Sequence, residues 1–154
     1  MILEIDLDLT EAPVDIILHC ANCHNTMGSG IARAIREKFP EAYAADCATV
    51  RADKNKLGTI SVAKIAQPHN QIKWVFNLYG QFTFGSRPRE VNYEAIYTAL
   101  KLAESRITDK TLKVGIPKNM CCQRAGGDWR IIRAMIDVVF GQSLIDVFIC
   151  NYQE

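Results

Sequence analysis

A group of polar side chains and glycines that could hold an anionic ligand follows the apolar run at residues 14–20. Its members are Asn22, His24, Asn25, Gly28, Ser29 and Gly30. Glycines let backbone N–H groups approach an anion closely, and a helix that starts behind them adds a partial positive charge. The stretch is therefore a candidate phosphate-binding loop. A strand that turns sharply into a helix without binding anything needs similar glycines, and that alternative stays open at this point.

The residues around this loop predict a strand before it and a helix after it. Residues 14–20 are rich in β-branched side chains and too few for an ordinary helix, so they predict a buried parallel strand. Residues 31–39 place apolar side chains at helical spacing. Pro40 then begins a second predicted helix across residues 41–56, with a charged end that we expect to be solvated.

The rest of the chain alternates predicted strands and helices. Strands are predicted at residues 1–7, 59–66, 72–78, 113–116 and 144–150, and helices at residues 92–105 and from Trp129 to a stop at Gly141. Two consecutive strands without a helix between them indicate a mixed sheet. We therefore expect one α/β domain over residues 1–154, a three-layer α/β/α sandwich on a mixed central sheet. Loops at the carboxyl ends of its strands should form the binding crevice.

Two segments of the chain resemble the signatures of macro domains, the ADP-ribose-binding modules. The first runs from His19 to Asn22 and resumes at residues 27–32, and the second ends in Ala-Gly-Gly-Asp-Trp at residues 125–129. The resemblance is to the branch that holds ADP-ribose 1''-phosphate phosphatases, terminal ADP-ribose protein glycohydrolases and DNA ADP-ribosyl glycohydrolases. It implies ADP-ribose or ADP-ribose 1''-phosphate as the small-molecule ligand, and ADP-ribosylated macromolecules as further partners.

The resemblance also implies which residue contacts which part of the ligand. Asn22 corresponds to the residue that holds the distal ribose, Asp8 to the acceptor of the adenine amino group, and Tyr152 to an aromatic residue against adenine. For Asp8, a turn or helix-capping role is an equal alternative. The remaining ligand-lining positions are Leu9, Ala21, Met27, Gly28, Ser29, Gly30, Ile31, Cys121, Cys122, Gln123, Arg124, Ala125, Gly126 and Gly127.

The second signature departs from the family pattern in its first half. Asn119, Cys121 and Gln123 stand where the resemblance places glycines. We expect their side chains to crowd the approach of a phosphate, and Arg124 to supply a positive charge that the usual loop lacks. The departure bears on the affinity and on the pose of the phosphate.

The residues at the reaction end favour a phosphatase over a glycohydrolase. In the glycohydrolases that this chain resembles, a nucleophilic lysine stands at the position of Gln81 and an aspartate at the position of Ala125. An amide cannot form the lysine adduct. We therefore expect a metal-independent phosphomonoesterase that hydrolyses ADP-ribose 1''-phosphate, with Asn22 orienting the ribose and His19 and Asp128 moving protons.

Several alternatives stay open at this point. The protein could instead hydrolyse ADP-ribosyl groups from protein, nucleic acid or an O-acyl ester, or it could bind ADP-ribose without turnover. His19 could equally be a hydrogen-bonded core histidine. Asp128 could equally be the N-cap of the last helix.

Composition and charge exclude several classes of protein. With 154 residues, 49% of them hydrophobic, the chain can bury one sizeable core. No apolar stretch reaches the roughly 18 residues of a membrane span, and the acidic start is unlike a secretory signal. We therefore expect a soluble cytoplasmic protein without a membrane partner. The net charge of +1 supplies no basic field for general nucleic-acid binding.

The six cysteines allow two metal-site hypotheses. Residues 20–24 match the haem attachment pattern, and Cys20, Cys23, Cys121 and Cys122 could be combined into a zinc site. Haem attachment normally accompanies export, and two adjacent cysteines make an awkward ligand pair. We therefore expect reduced thiols, with no metal and no cofactor.

Overall fold

The computed structural model describes residues 1–84, 90–122 and 125–151. Within these ranges lie the strands β1 (Ile2–Ile5), β2 (Ile16–Asn22), β3 (Ile60–His69), β4 (Ile72–Gln81), β5 (Val114–Pro117) and β6 (Val147–Cys150). They form one sheet in the order β1-β6-β5-β2-β4-β3. Neighbouring strands are parallel except β3, which runs antiparallel to β4. The mixed sheet predicted from the sequence is confirmed.

Helices cover both faces of this sheet. They are α1 (Gly30–Lys38), α2 (Pro40–Cys47), α3 (Tyr93–Arg106) and α4 (Trp129–Phe140). Ile35 and Ala42, from α1 and α2, belong to the apolar cluster on one face. Ile96 and Ile132, from α3 and α4, belong to the cluster on the other face. The predicted α/β/α sandwich is therefore also confirmed.

Strand β2 lies inside the sheet and is buried by both helix layers. Its side chains alternate, so that Ile16 and Leu18 contact the α3–α4 layer while Ile17 contacts the α1–α2 layer. All three are at most 2% exposed. This burial from two sides is the reason why residues 14–20 are almost all apolar and do not alternate with polar residues.

The second helix is shorter than predicted. α2 ends at Cys47, and the chain then turns through Ala52, whose φ of 60° is left-handed and cannot continue an α-helix. A short 3-10 turn at Lys54–Lys56 follows, capped by the Asp53 side chain. The expectation of a solvated end is wrong for Lys56, which is only 6% exposed.

The parallel strands place their carboxyl ends along one edge of the sheet. A short 3-10 turn, Leu9–Glu11, follows β1 at this edge, and the loop predicted after β4 is described as far as Phe84. In the ranges given above, no helix has the length and apolar character to cross a membrane.

Candidate ligand-binding crevice

The candidate site lies where β2 and β5 end. The first loop, residues 23–29, connects β2 to α1, and the second loop, residues 118–128, connects β5 to α4. Because β2 and β5 are neighbours in the sheet, the two loops leave it side by side. Asn22, the last residue of β2, pairs with Gln81 at the end of β4. The topology thus brings both sequence signatures to one crevice.

The first loop leaves the N-terminal end of α1 unblocked. Ser29 is the N-cap residue, but its side chain makes no capping hydrogen bond to any described residue, and the first turn carries no acidic side chain. Gly28 is exposed, and a Cβ atom on it would meet no described atom within 4 Å. Gly30 has a φ of 58°, which glycine adopts without strain. The helix end therefore offers backbone amides to an anion.

Asn22 folds the first loop around its own carboxamide. Its Oδ1 accepts a hydrogen bond from the His24 N–H at 2.8 Å, and its Nδ2 donates to Thr26 Oγ1 at 2.7 Å and to Thr26 O at 3.1 Å. The residue is 8% exposed. An amide oxygen has two lone pairs, so a ligand hydroxyl can share Oδ1 with the His24 amide. Asn22 therefore has both a structural role and the chemistry of a ribose contact.

A buried polar network behind the first loop was not predicted from the sequence. Lys56 Nζ donates to Asn25 Oδ1 at 2.7 Å, and the Tyr79 hydroxyl donates to Asp46 Oδ1 at 2.7 Å. Asp46 and Tyr79 are both 0% exposed, and burial raises the pKa of the Asp46 carboxyl. A signal was present for Asp46, which lies one helical turn after the buried Ala42. Lys56 sits in a polar run that carries no such signal.

The second loop keeps left-handed backbone at two positions where the resemblance expects glycines. The φ angle is 64° at Asn119 and 65° at Cys121, values that cost a non-glycine residue free energy. The Cys121 side chain is 8% exposed and packs in the apolar layer beneath α3 and α4. The expectation that it crowds the crevice is wrong, because the side chain is buried in the core beneath the loop.

Glycine is required at Gly127 for the second loop to close on itself. Its N–H donates to Cys121 O at 2.9 Å, and a Cβ atom would come within 2.6 Å of the same oxygen. Gly126 is exposed, with a φ of 72°.

Burial raises the pKa of the half-buried Cys122 to about 11, so this thiol is protonated at neutral pH and is not an activated nucleophile.

Asp128 caps α4 at the end of the second loop. Its carboxylate accepts hydrogen bonds from the Arg130 N–H at 2.9 Å and from Arg130 Nη2 at 2.8 Å. These hydrogen bonds hold the pKa of Asp128 below its ordinary value. The Arg130 side chain is 90% exposed, so the ion pair is a weak surface contact. The capping role that the sequence left open is present, and the carboxylate is ionised at neutral pH.

His19 lies in the core of the molecule and not in the crevice. It is 0% exposed, and its Nε2 lies 2.6 Å from Asn77 Oδ1. Asn77 Nδ2 donates to Ala42 O and Ser61 Oγ, which assigns Oδ1 as an acceptor and His19 as the Nε2–H tautomer. Burial lowers the pKa of His19 to about 4, although the hydrogen bond to Asn77 acts to raise it. This geometry fits the core alternative and gives His19 no route to a ligand proton.

Gln81 occupies the position at which glycohydrolases of the resembled branch carry their lysine. Its Nε2 donates to Thr83 O at 2.9 Å, and the Cys20 thiol donates to its Oε1 at 3.6 Å. The residue is half-buried. Its amide can hydrogen-bond to a sugar hydroxyl near Asn22 but cannot form a covalent adduct with the ribose.

The predicted adenine end of the crevice lies beyond β1. The Asp8 carboxylate accepts hydrogen bonds from the Thr10 N–H and hydroxyl, both at 2.9 Å, so its capping role is present. Burial, together with the nearby charge of Asp8, raises the pKa of Cys150 to about 12. Because Ile5 at the end of β1 pairs with Cys150, Asp8 follows β1 beside the end of β6, the strand that leads to Tyr152.

The other predicted ligand-lining residues differ in what they can offer. Four of them are at most 4% exposed and can contribute mainly backbone atoms: Leu9, Ala21, Met27 and Ala125. Ile31 is half-buried in the first turn of α1. Gln123, Arg124 and Tyr152 lie outside the described residues, so their contacts and the charge expected from Arg124 stay predictions.

The thiols do not form a metal site in the part of the chain that the structure describes. All six cysteines are free. No group of three or more histidine, cysteine, aspartate or glutamate side chains among the described residues is arranged to hold a metal ion. The zinc hypothesis built on Cys20, Cys23, Cys121 and Cys122 therefore has no geometric support.

An open groove of about 630 Å³ lies beside the crevice, on the outer surface of α3 and α4. It is lined mainly by apolar side chains, among them Tyr97, Ile131, Met135 and Val138, and it reaches Asp128 at one end. The groove is on the helix layer and lacks the glycine-lined amides of the first loop. It therefore lacks the anion-binding chemistry that the first loop offers.

Comparison with known proteins identifies the family. The model of the macro domain family matches residues 18–132, which include both loops. A relative in Enterobacteria phage T4, an uncharacterized 17.5 kDa protein in the tk-vs intergenic region, is 30% identical over 148 residues, covering 89% of this chain and 86% of the relative. The chain therefore belongs to the macro domain family.

Solved structures agree with this assignment at the level of the fold. The macrodomain of Mycobacterium tuberculosis DarG has a TM-score of 0.81 and 20% identity, with 99% of each chain covered. Thermosipho africanus DarTG in complex with ADP-ribose has a TM-score of 0.71 and 18% identity, covering 94% of this chain and 39% of that one. The macro domain fold expected from the two signatures is thus confirmed.

Proposed function

We propose that the protein binds ADP-ribose in the crevice between the first and second loops. The observation that carries this proposal is the N-terminal end of α1 behind Gly28 and Gly30, which no described side chain caps and which offers backbone amides to a diphosphate. Membership of the macro domain family supports the same ligand. The ADP-ribose complex of the Thermosipho africanus relative supports it as well.

In this proposal the ligand lies across the carboxyl edge of the sheet. The diphosphate contacts the end of α1, the distal ribose contacts Asn22, and the adenine amino group donates to Asp8. The strand order separates the ends of β1 and β2 by three strand spacings, about 14 Å. A ligand made of two sugar-bearing halves joined by a diphosphate fills a span of this size.

The reaction that we propose is hydrolysis of ADP-ribose 1''-phosphate to ADP-ribose and phosphate. Asn22 orients the distal ribose, and the ionised Asp128 carboxylate orients a water molecule for attack on phosphorus. The bond between phosphorus and the 1''-oxygen breaks, the proton that the attacking water loses passes through solvent to the 1''-oxygen, and loop amides stabilise the charge that develops on the phosphoryl oxygens. His19 has no part in this scheme because its imidazole is enclosed in the core.

Phosphate release by purified protein tests this assignment. Asn caps a helix as well as Asp, so Asp128→Asn should keep the stability and the ADP-ribose affinity while losing phosphate release by about 100-fold or more. The His19→Gln variant is the matched control and should release phosphate at the wild-type rate. Turnover by Asp128→Asn at the wild-type rate would remove Asp128 from the mechanism.

Binding of ADP-ribose without turnover is the second candidate. The observation that favours it is that both expected proton carriers are engaged elsewhere, His19 with Asn77 and Asp128 with Arg130. Calorimetric titration with ADP-ribose combined with the phosphate-release assay separates the candidates. Heat of binding without phosphate release selects the binding module, whereas no heat at all contradicts both proposals.

A further inference from the structure

A lysine is buried directly behind the first loop. Lys56 is 6% exposed, although lysine is almost never buried without partners. Its Nζ donates to Asn25 Oδ1 at 2.7 Å and to Cys23 O at 3.3 Å. The same ammonium lies 4.7 Å from the centroid of the Tyr79 ring, within reach of a cation–π interaction. Two of these three contacts are made to the first loop itself.

A buried acid, Asp46, accepts a hydrogen bond from the same tyrosine. The Tyr79 hydroxyl donates to Asp46 Oδ1 at 2.7 Å, and Asp46 is 0% exposed. Burial raises the pKa of Asp46, while the hydrogen bond from Tyr79 and the charge of Lys56 act to lower it. A buried network of this kind is costly when it is incomplete, so its members hold one another in a defined geometry.

The segment that contains Lys56 also fixes the first loop through neutral hydrogen bonds. Asn25 has a φ of 57°, and its Nδ2 donates to Thr49 O at 3.1 Å. The Ala52 N–H donates to Cys23 O at 2.7 Å. The first loop is therefore held from behind by residues 49–56 and from within by Asn22. Lys56 supplies a charge-assisted hydrogen bond to this support.

We propose that Lys56 is a positioning residue for the distal ribose: by holding Asn25 and Cys23 it sets the shape of the first loop and the direction of the Asn22 carboxamide. This inference rests on the ADP-ribose site proposed above and deepens it. The diphosphate contacts the α1 amides instead, so a ligand that ends at the diphosphate, such as ADP, should be indifferent to Lys56.

The first test compares two ligands on one variant. Lys56→Met keeps the length and the apolar stem of the side chain but removes its charge and its donors. We expect ADP-ribose to bind about tenfold more weakly, while the Kd for ADP stays within about twofold of wild type. Lys110→Met is the matched control, because Lys110 pairs with Glu104 at 2.8 Å, remote from the crevice. It should change neither affinity.

A second variant leaves the buried charge in place. Asn25→Gly suits the φ of 57° and removes the acceptor of the 2.7 Å hydrogen bond. It should reproduce the selective loss of ADP-ribose affinity even if Lys56→Met folds poorly. Equal losses for ADP and ADP-ribose in these variants, or no loss for either, would overturn the inference.

Amide hydrogen exchange without ligand separates this inference from the proposed function. The His24 N–H is protected by Asn22 Oδ1, and we expect it to exchange about tenfold faster in Lys56→Met. Unchanged protection would show that Lys56 does not shape the loop, whatever the ligand is. Failure of the wild-type protein to bind ADP-ribose would instead overturn the proposed function, and with it the assignment to the distal ribose.

Discussion

The first and second loops of the crevice are held in shape by different forces. In the first loop, side chains make most of the hydrogen bonds that fix its shape. Asn22 bonds to the loop from within, and Lys56 bonds to it from behind. Its glycines, Gly28 and Gly30, lie on the side from which we propose that a phosphate approaches the backbone. The first loop is thus open on the side of the proposed ligand and supported by polar groups behind it.

The second loop is held by backbone hydrogen bonds and by apolar burial. The Cys122 N–H donates to Asn119 O at 2.9 Å, and the Val91 N–H donates to Ala125 O at 3.0 Å. Met120 and Ala125 are both 3% exposed, so side chains of this loop extend the core. Two residues of this loop that are not glycine have left-handed backbone, and the burial of Cys121 and Met120 offsets the cost of that conformation.

The helices that follow the two loops also differ in whether a side chain already bonds to the backbone amides at their N-terminal ends. No side chain of residues 1–84, 90–122 or 125–151 caps α1, whereas Asp128 caps α4. A capped helix end has already used part of its hydrogen-bonding capacity, so the uncapped end is the better anion site. In the function that we propose, the first loop therefore supplies most of the phosphate affinity and the second loop mainly forms the wall of the crevice.

The largest expected effect tests directly whether the first loop supplies most of the phosphate affinity. Gly28→Leu should weaken ADP-ribose binding by about 1,000-fold, because the new side chain occupies the space in which the phosphate approaches the α1 amides. The melting temperature should not change, since a Cβ atom on Gly28 meets no described atom within 4 Å. Calorimetric titration and thermal unfolding measure the two quantities. Wild-type affinity in this variant would contradict the assignment of the phosphate to the first loop.

The next-largest effect is a pH dependence of stability that comes from His19, in the strand that leads into the first loop. The pKa of His19 is about 4 in the folded protein against 6.5 in a model peptide, so the unfolded state binds the extra proton. Stability from this group is present above pH 6.5 and is lost as the pH falls toward 4. The free energy of unfolding should fall by about 3 kcal/mol as a result.

Urea unfolding of wild type and His19→Gln at several pH values checks this expectation. Glutamine can donate to Asn77 but does not titrate, so the variant should lack the steep fall between pH 6.5 and 4. Parallel curves for the two proteins would mean that the pKa of His19 is the same in the folded and unfolded states. Asp128, on the second loop, is too exposed to contribute a comparable dependence.

The smallest expected effect probes the strain in the second loop. Cys121→Gly should be more stable than Cys121→Ala by about 1 kcal/mol, because alanine retains the cost of a left-handed backbone and glycine does not. Both variants lose the same thiol contacts in the core, so they differ only in the backbone and in the buried methyl group of alanine, which opposes the effect. Denaturant unfolding measures the difference, and alanine as the more stable variant would show that the strain at a φ of 65° is smaller than the stabilisation from that methyl group.

Much of the fold and part of the site could be predicted from local patterns. The apolar run that became β2, the helical spacing of α3 and α4, and the consecutive strands β3 and β4 were all recovered. The glycine-containing first loop was also found, because glycines before an amphipathic helix are a local signal. His19 and Lys56 were assigned to wrong or uncertain environments, because their surroundings are set by residues far away in the chain.

The sequence by itself determined the layered α/β architecture, the family, and the two signatures that meet at the crevice. Hydrophobic periodicity and turn chemistry are short-range properties, so they can be read without coordinates. Only the tertiary structure decided that His19 faces Asn77 in the core, that the Cys121 side chain is buried, and that Lys56 supports the first loop. Burial and hydrogen-bond partners depend on contacts between distant segments, and those contacts exist only once the chain has packed.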